Sequence, residues 1–284
     1  MLDVGSYSKQ LTKGSSSNFY YAFLFLPKEK RDAIHAVYAF CRHLDDIVDE
    51  NPRREEAEEQ LKRWREELDR CFRGEAAHPI TVKLEDVLRC FTIPKGYFEL
   101  VVDGVEMDLR KVRYETFEEL YEYCYRVASA VGLICIEIFG YESPTAKAYA
   151  ENLGVAFQLT NIMRDLATDA MRGRIYLPQI ELRQFGYREE DLLKGRYNAP
   201  FVELMRFQAS RAKEYFRKAE ASLAREDRPS MLAAEIMRGI YYQLLQEIEG
   251  TSYNVFERKI TLPKSRRFLI ALHIWLRSML LPDH

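Results

Sequence analysis

Residues 36–50 read AVYAFCRHLDDIVDE, and this stretch carries the strongest structural signal in the chain. Its apolar residues recur at helical spacing. Asp45 and Asp49 stand four positions apart, so on a helix their carboxylates share one side, about 6 Å apart along the axis. Like charges at that spacing repel and weaken an isolated helix. Taken alone, the pair fits either a functional site or a solvated acidic helix end, which Asp46 and Glu50 would suit.

A second aspartate pair repeats this spacing later in the chain. Residues 158–169 read QLTNIMRDLATD, in which Asp165 and Asp169 are again four positions apart. Asn161 and Gln158 lie one and two turns before Asp165, so a polar stripe runs along an otherwise apolar helix. Polar groups on a buried helix cost free energy unless something satisfies them. We therefore predict that the two aspartate pairs face each other across a cavity between helices.

Two facing carboxylate pairs suit divalent-metal chemistry. Mg²⁺ takes oxygen ligands and is typically held by one or two carboxylates together with substrate phosphates. A cluster of Mg²⁺ ions could neutralise a leaving diphosphate while a carbon–oxygen bond ionises. Arg42 and Arg164 each lie beside one pair, and guanidinium groups bind phosphate oxygens directly. The lone ExxH at residues 75–78 lacks the second copy that a di-iron bundle needs, and no glycine-rich nucleotide motif appears.

The rest of the chain has the same helical periodicity, without an alternating strand pattern of useful length. Pro27 is predicted to open the helix that reaches residue 50. Further helices are predicted over about 54–73, 80–91, 95–111, 116–140, 144–169, 199–225, 230–249 and 265–281. Residues 170–198 form the longest irregular stretch, and no linker divides the chain. We expect an all-α protein with one domain over residues 1–284, in which helices 116–140 and 144–169 are central.

Composition restricts the class of protein. The 284 residues are 47% apolar and 30% charged with a net charge of −2, which excludes wholesale disorder and argues against a nucleic-acid partner. The five cysteines form no CxxC pair, so we interpret them as reduced core residues of a cytoplasmic protein. The N-terminus does not resemble a signal peptide, and no segment is long and apolar enough to span a membrane.

Charge is distributed unevenly along the chain. From Arg258 onward there are six basic residues and one acid, so this segment carries +5 and residues 1–257 carry −7. The same segment contains the apolar stretch Phe268–Leu281. Two interpretations stay open: a last core helix, or a helix that lies peripherally on an anionic bilayer, such as the inner face of the cell membrane.

Six motifs, in order, resemble the squalene/phytoene synthases, which are head-to-head prenyl transferases with the all-α isoprenoid synthase fold, a bundle around a central cavity. They are SSNF (16–19), AVYAFCRHLDDIVDE (36–50), VDGVEMDL (102–109), YCYRVASAVG (123–132), QLTNIMRD with its following aspartate (158–169) and GRIYLP (173–178). The first motif departs from the family pattern, which often has a basic second residue and a serine next. Here Ser17 and Asn18 occupy those positions, so a cationic phosphate contact is missing or replaced by loop backbone.

The resemblance implies roles for individual residues. It implies two to three Mg²⁺ ions held by Asp45, Asp49, Asn161, Asp165 and Asp169. It implies prenyl diphosphate contacts from Arg42, Arg174, Arg258, Gln158, Asn161, Tyr241, Ser16 and Ser17. It implies catalytic roles for Tyr38, Tyr123, Tyr176 and Arg42. With 18 tyrosines in the chain, core packing is the competing explanation for each of them.

Within the family, this chain looks most similar to the presqualene diphosphate synthases of the bacterial hopanoid pathway. The expected reaction joins two farnesyl diphosphates to presqualene diphosphate and releases diphosphate. The alternatives are a phytoene or 4,4'-diapophytoene (dehydrosqualene) synthase, or a full squalene synthase using NADPH. NADPH itself is not a predicted cofactor. Outside the family, a non-catalytic helical partner protein with solvated aspartates stays open, whereas a metal-binding oxidase bundle lacks its histidines. Substrate chain length and oligomeric state do not follow from the sequence.

Overall fold

The computed structural model describes residues 19–51 and 53–280, so Ser16 and Ser17 lie outside the described residues. Over these two ranges the chain forms helices and no β-strand, apart from an isolated bridge between Arg113 and Ile175. The expectation of an all-α fold is therefore confirmed. None of the described helices is both long and apolar enough to cross a bilayer.

The predicted helices are found with boundaries shifted by at most three residues, with one exception. They are α1 (Phe19–Phe23), α2 (Lys28–Glu50), α3 (Arg54–Phe72), α4 (Pro79–Cys90), α5 (Lys95–Arg110), α6 (Phe117–Cys124), α7 (Ala130–Phe139), α8 (Thr145–Met171), α9 (Gln179–Gln184), α10 (Glu189–Leu193), α11 (Ala199–Ser222), α12 (Leu232–Gly250) and α13 (Lys264–Leu280). The short helices α1, α9 and α10 were not among the predictions, and α9 and α10 interrupt the stretch predicted to be irregular.

The exception is the predicted continuous helix over 116–140. Residues Tyr125–Ser129 form a π-helical turn that separates α6 from α7. This wider turn lies between two glycines of neighbouring helices. A Cβ at Gly104 would lie 2.7 Å from Val127 Cγ1, and one at Gly154 would lie 2.5 Å from Ser129 Cα. The π turn therefore depends on close helix contacts that hydrophobic periodicity along one helix does not reveal.

Helix α8 lies at the centre of the bundle, as predicted. It packs along α11, and it also contacts α7, α12 and the π turn. The buried Tyr149 of α8 donates a hydrogen bond to Glu235 Oε1 of α12 at 2.9 Å. The Tyr149 hydroxyl therefore has a partner inside the bundle, where an unpaired polar group would cost free energy.

The segment that follows α8 is fixed against the chain before α6. Ile175 N donates to Val112 O at 3.0 Å, and Gln179 N donates to Tyr114 O at 2.8 Å. Farther along, the buried Glu181 accepts hydrogen bonds of 2.5 Å from both Arg211 and Gln208 of α11. These bonds hold residues 172–178 over the end of α8, which positions Arg174 and Tyr176.

The described residues pack against only one side of α13. Its buried residues are Arg267 and Ala271, and Ile270 and Ile274 lie against Gly239 of α12. The interpretation of this segment as a core helix therefore holds for one side of the helix. The opposite side is exposed.

Candidate active site

Two adjoining cavities lie between the helices, and each has a volume of about 340 Å³. One is lined mainly by charged and polar side chains, and the other mainly by apolar ones. They share a boundary formed by Arg42, Asp45, Val127, Gln158 and Asn161. The site therefore offers a polar chamber for a charged group that continues into an apolar chamber for a hydrocarbon.

The two predicted aspartate pairs meet in the polar chamber. Asp45 and Asp49 enter from α2, and Asp165 and Asp169 enter from α8. Both pairs lie on one side of their own helix because they are spaced by four residues. The structure thus places all four carboxylates around one cavity, as the sequence predicted.

The electrostatics of the chamber oppose negative charge on two of these carboxylates. Burial, and secondly the neighbouring Asp49, raise the pKa of Asp45 to about 7. Burial, and secondly Asp165, raise the pKa of Asp169 to about 7. The Asp45 side chain is exposed to both cavities, which it lines, while protein surrounds it. A bound cation would stabilise the charged form of carboxylates in such a setting.

Four arginines line the same chamber and hold some of its aspartates. Arg172 and Arg174 each place Nη1 2.8 Å from an oxygen of Asp49. Arg164 pairs with its neighbour Asp165 through Nε at 2.9 Å and through Nη2. The fourth, Arg42, pairs at 2.6 Å with Asp46 one turn along α2. The chamber therefore combines carboxylates with guanidinium groups that can bind phosphate oxygens.

Tyr123 and Tyr176 converge on a carboxylate that the sequence analysis did not assign. The Tyr123 hydroxyl donates to Asp108 Oδ2 at 2.9 Å, and the Tyr176 hydroxyl donates to Asp108 Oδ1 at 2.7 Å. The two hydroxyl oxygens are 3.3 Å apart and the rings stack at 5.0 Å. Burial raises the pKa of both tyrosines above the usual range. At neutral pH both hydroxyls therefore stay protonated and able to donate.

Asp108 was missed because it has no acidic partner at helical spacing on α5. The available signal was its membership in VDGVEMDL, one of the six motifs. Burial raises its pKa as well, and the nearby Arg174 guanidinium opposes that shift. Arg172 was also missed, because its role depends on the fold of the segment after α8.

Asn161 supplies an oxygen with no partner among the described residues. Its Oδ1 is buried and accepts no hydrogen bond, whereas its Nδ2 donates to Gln158 Oε1 at 3.3 Å. A buried acceptor without a partner costs about 1–3 kcal/mol. The amide oxygen and the adjacent carboxylates form the all-oxygen donor set that Mg²⁺ prefers. Within the described residues, however, no three His, Cys, Asp or Glu side chains form a ready-made metal cluster.

The remaining predicted residues fall into different places. Tyr38 and Tyr241 line the apolar chamber, where Tyr241 stacks on Phe157 at 4.3 Å. Arg258 is exposed and lines neither chamber. Its neighbour Lys259 instead places Nζ 3.5 Å from Asp165 Oδ1. The structure thus brings Lys259, rather than Arg258, to the site.

The apolar chamber lies between α2, the π turn, α7, α8 and α12. Its walls include Val131 and Gly132 of α7, Leu153 of α8 and Met237 of α12, and Phe23 of α1 adds an aromatic ring. Within the part of the chain that the structure describes, no hydrocarbon side chain fills this space. An apolar ligand could therefore bury its surface there, at a gain of about 25 cal/mol per Å².

An all-α bundle with a carboxylate- and arginine-lined chamber opening into an apolar one defines the isoprenoid synthase class of enzyme. The comparisons with known proteins identify the family within it. The squalene/phytoene synthase family model matches residues 12–266. The chain therefore belongs to the squalene/phytoene synthase family, whose members are prenyl transferases.

Relatives and solved structures extend this comparison. The 15-cis-phytoene synthase of Synechococcus elongatus is 38% identical, over 91% of this chain and 88% of that protein. A dehydrosqualene synthase structure has a TM-score of 0.86 at 28% identity, over 97% of both chains. The squalene synthase HpnC of Alicyclobacillus acidocaldarius has a TM-score of 0.79 at 30% identity, over 88% of this chain and 95% of that one. The expected special similarity to hopanoid-pathway presqualene diphosphate synthases is not confirmed, and the findings favour the alternative, phytoene or dehydrosqualene synthase.

Proposed function

We propose that this protein joins two prenyl diphosphates head to head and converts the product to a C40 hydrocarbon of the phytoene type, without NADPH. The observation that carries the proposal is the 38% identity to a 15-cis-phytoene synthase over nearly the full length of both chains. A phytoene synthase of Arthrospira platensis is 36% identical, over 96% of this chain and 93% of that protein. On this proposal the preferred substrate is geranylgeranyl diphosphate.

The two chambers divide the work on such a substrate. The diphosphates would lie in the polar chamber, where Arg42, Arg172 and Arg174 bind their oxygens by charge-assisted hydrogen bonds. The prenyl chains would extend past Val127 into the apolar chamber. This arrangement holds the two C1 ends beside each other and keeps water from the chains.

Mg²⁺ is the proposed metal. Asp45, Asp49, Asp165, Asp169 and Asn161 would hold it, since their oxygens surround one chamber and the Asn161 oxygen is buried without a partner. When bound, Mg²⁺ would neutralise diphosphate charge and so favour ionisation of the C1–O bond. Gln158 would support this site through its contact with Asn161.

The chemical steps follow from the resemblance to the family. One prenyl diphosphate ionises, the C2–C3 double bond of the second attacks its C1, and proton loss closes a cyclopropane. A second ionisation and rearrangement, again with proton loss, would release the other diphosphate and give the hydrocarbon. Tyr123 and Tyr176 face the chamber as neutral phenols held by Asp108. Their rings and hydroxyls would stabilise the cations and guide a departing proton.

The substrate length has a second candidate, supported by the structural comparison. The dehydrosqualene synthase fold matches this chain with a TM-score of 0.86 over 97% of both chains. A C15 substrate would then give a C30 hydrocarbon by the same steps. A reaction that stops at presqualene diphosphate remains the third outcome to be tested.

The test is a product assay on the purified protein with Mg²⁺. Geranylgeranyl and farnesyl diphosphate are supplied separately, each with and without NADPH, and extracted products and released diphosphate are quantified. A C40 hydrocarbon from the C20 substrate without NADPH is the expected result. If farnesyl diphosphate gives a C30 product while the C20 substrate does not react, the preferred substrate is farnesyl diphosphate rather than geranylgeranyl diphosphate. Absence of both coupled product and diphosphate release would overturn the enzymatic proposal.

A further inference from the structure

The exposed side of α13 carries a continuous apolar stripe. Phe268, Leu269, Leu276, Met279 and Leu280 are between 42% and 75% exposed. Leu269, Leu276, Met279 and Leu280 are related by spacings of three, four and seven residues. Phe268 adjoins Leu269, so all five lie on one side of the helix, away from the buried Arg267 and Ala271. We call these five residues the α13 face. Large exposed apolar side chains gathered on one helix mark an interaction surface.

The charge carried by α13 itself is of one sign. Residues 258–280 contain no acid, and Lys264 and Arg277 are exposed on this helix, while the exposed Arg266 pairs with Glu247 of α12. Half-buried Trp275 stacks on Phe25 at 5.3 Å between rings. An apolar helix face with basic neighbours and a tryptophan has the chemistry that binds an anionic lipid surface.

This charge distribution also discriminates between occupants. A symmetric pairing of two copies through the α13 face would bring the same basic residues of both chains together, which is unfavourable. A bilayer with anionic headgroups complements the basic residues, while its acyl region accepts the apolar side chains. The observed charge therefore favours lipid over a second copy.

The position of α13 connects this surface to the apolar chamber. Ile270 and Ile274 pack on Gly239 of α12, and α12 also supplies Ala233, Met237 and Tyr241 to the chamber wall. One helix thus separates the α13 face from the space proposed for the hydrocarbon chains.

We propose that the α13 face docks this protein on an anionic lipid bilayer, with the helix lying in the plane of the membrane surface. The docking does not depend on the proposed reaction, because it rests on the exposed helix alone. A hydrocarbon product would then leave the enzyme beside acyl chains in which it dissolves.

The experiment is flotation of the intact protein with phosphatidylcholine vesicles, with and without phosphatidylglycerol, at low and high salt. Wild-type protein is expected to float with the anionic vesicles and to be partly released by salt. Leu269→Glu and Leu276→Glu are expected to lower the partition coefficient about tenfold each, since each removes one inserted apolar side chain and adds repulsion. Val82→Glu is the matched control, because Val82 of α4 is 40% exposed and Leu276 is 42% exposed. Circular dichroism and thermal unfolding verify the fold of each variant.

Further readouts make each outcome decisive. Arg277→Gln is expected to weaken binding to anionic vesicles and to reduce its salt dependence. The proposal is overturned if wild-type protein does not float, or if the two glutamate variants float as well as Val82→Glu. It is also overturned if sedimentation shows a dimer that Leu269→Glu dissociates while vesicle binding is absent, since a second copy would then cover the face. Failure of the product assay would leave flotation unaffected, so the two proposals fail separately.

Discussion

Arg174 Nη1 lies 2.8 Å from Asp49 Oδ1, and this ion pair ties the segment after α8 to the carboxyl end of α2. The Arg174 side chain is only 13% exposed, whereas Arg172, which contacts the other oxygen of Asp49 at 2.8 Å, is 48% exposed. Burial lowers the pKa of Arg174, but the nearby carboxylate of Asp108, and with it Asp49, raises the pKa by more, so the net shift is upward. The two arginines therefore share a partner but differ in desolvation.

That difference predicts unequal effects of substitution. Arg174→Gln is expected to lower kcat/KM at least about 100-fold, because a desolvated charge-assisted contact is worth about 1.5–3 kcal/mol and diphosphate would also lose a ligand. Arg172→Gln is the matched comparison. It also removes a proposed diphosphate contact, but it is expected to stay within about tenfold of wild type, since solvent screens the charge of this exposed side chain. Steady-state kinetics with the substrate identified by the product assay provides the measurement. Equal losses in the two variants would contradict this assignment.

The shared acceptor of Tyr123 and Tyr176 gives a second prediction. Asp108→Asn keeps the shape of the side chain but leaves one acceptor oxygen for two buried hydroxyls. We expect kcat to fall about 10–100-fold through misplacement of the phenols, with the fold retained. Asp103→Asn is the control, because Asp103 lies on the same helix and pairs with Arg65 at 2.7 Å, outside the chambers. Unchanged kcat and product pattern in Asp108→Asn would refute the positioning role.

The raised pKa values of Asp45 and Asp169, each about 7, predict a pH dependence of stability in the metal-free protein. An unfolded aspartate has a pKa near ~3.9, so between that pH and about 7 the folded protein binds more protons than the unfolded chain. Stability from these groups is full below the unfolded pKa and is lost as pH rises through the folded pKa. Asp45→Asn should therefore raise the free energy of unfolding, by about 1 kcal/mol more at pH 8 than at pH 5 after allowance for solvent in the chamber.

Urea unfolding in EDTA at the two pH values measures this effect. Glu50→Gln, at the exposed end of the same helix and outside both chambers, should leave the pH dependence unchanged. Asp45→Asn and Asp169→Asn should also lower kcat about 10²–10³-fold in the presence of Mg²⁺. Each change removes a proposed Mg²⁺ ligand, so the metal would neutralise the diphosphate charge less well. A stabilised but inactive variant is the expected signature of a functional carboxylate. If Asp45→Asn instead destabilises the metal-free protein at pH 8, the account of buried charge is incorrect.

The close contact between α8 and the π turn yields a prediction about packing. A methyl group at Gly154 would lie 2.5 Å from Ser129 Cα and 2.6 Å from Ser129 N. Backbone atoms there cannot rotate away, so Gly154→Ala should cost about 1–3 kcal/mol of folding free energy. Gly96→Ala is the control, because Gly96 of α5 has open space within 4 Å, and the change should be neutral or stabilising by up to about 1 kcal/mol. Denaturant midpoints compare the two, and a similar stability for both variants would argue against the contact.

Much of the site could be predicted because it is written in local periodicity. Asp45 with Asp49, and Asp165 with Asp169, share a helix side wherever their helices lie, since four residues make about one turn. The polar stripe from Gln158 to Asp165 likewise indicated a buried function. What could not be predicted depends on contacts between elements. Asp108 has no periodic partner, and Lys259 reaches Asp165 only because of the path of the chain before α13.

The sequence by itself determined the helices, the two carboxylate pairs and the family, because each depends on residue types at fixed short spacing. Only the tertiary structure decided that these pairs share one chamber with Arg172, Arg174 and Asp108, and that the predicted helix over 116–140 contains a π turn. It also decided that α13 buries one side and exposes the other. The physical reason is that periodicity fixes which side chains share a helix face, whereas packing between distant segments fixes what that face meets and how strongly its charges are desolvated.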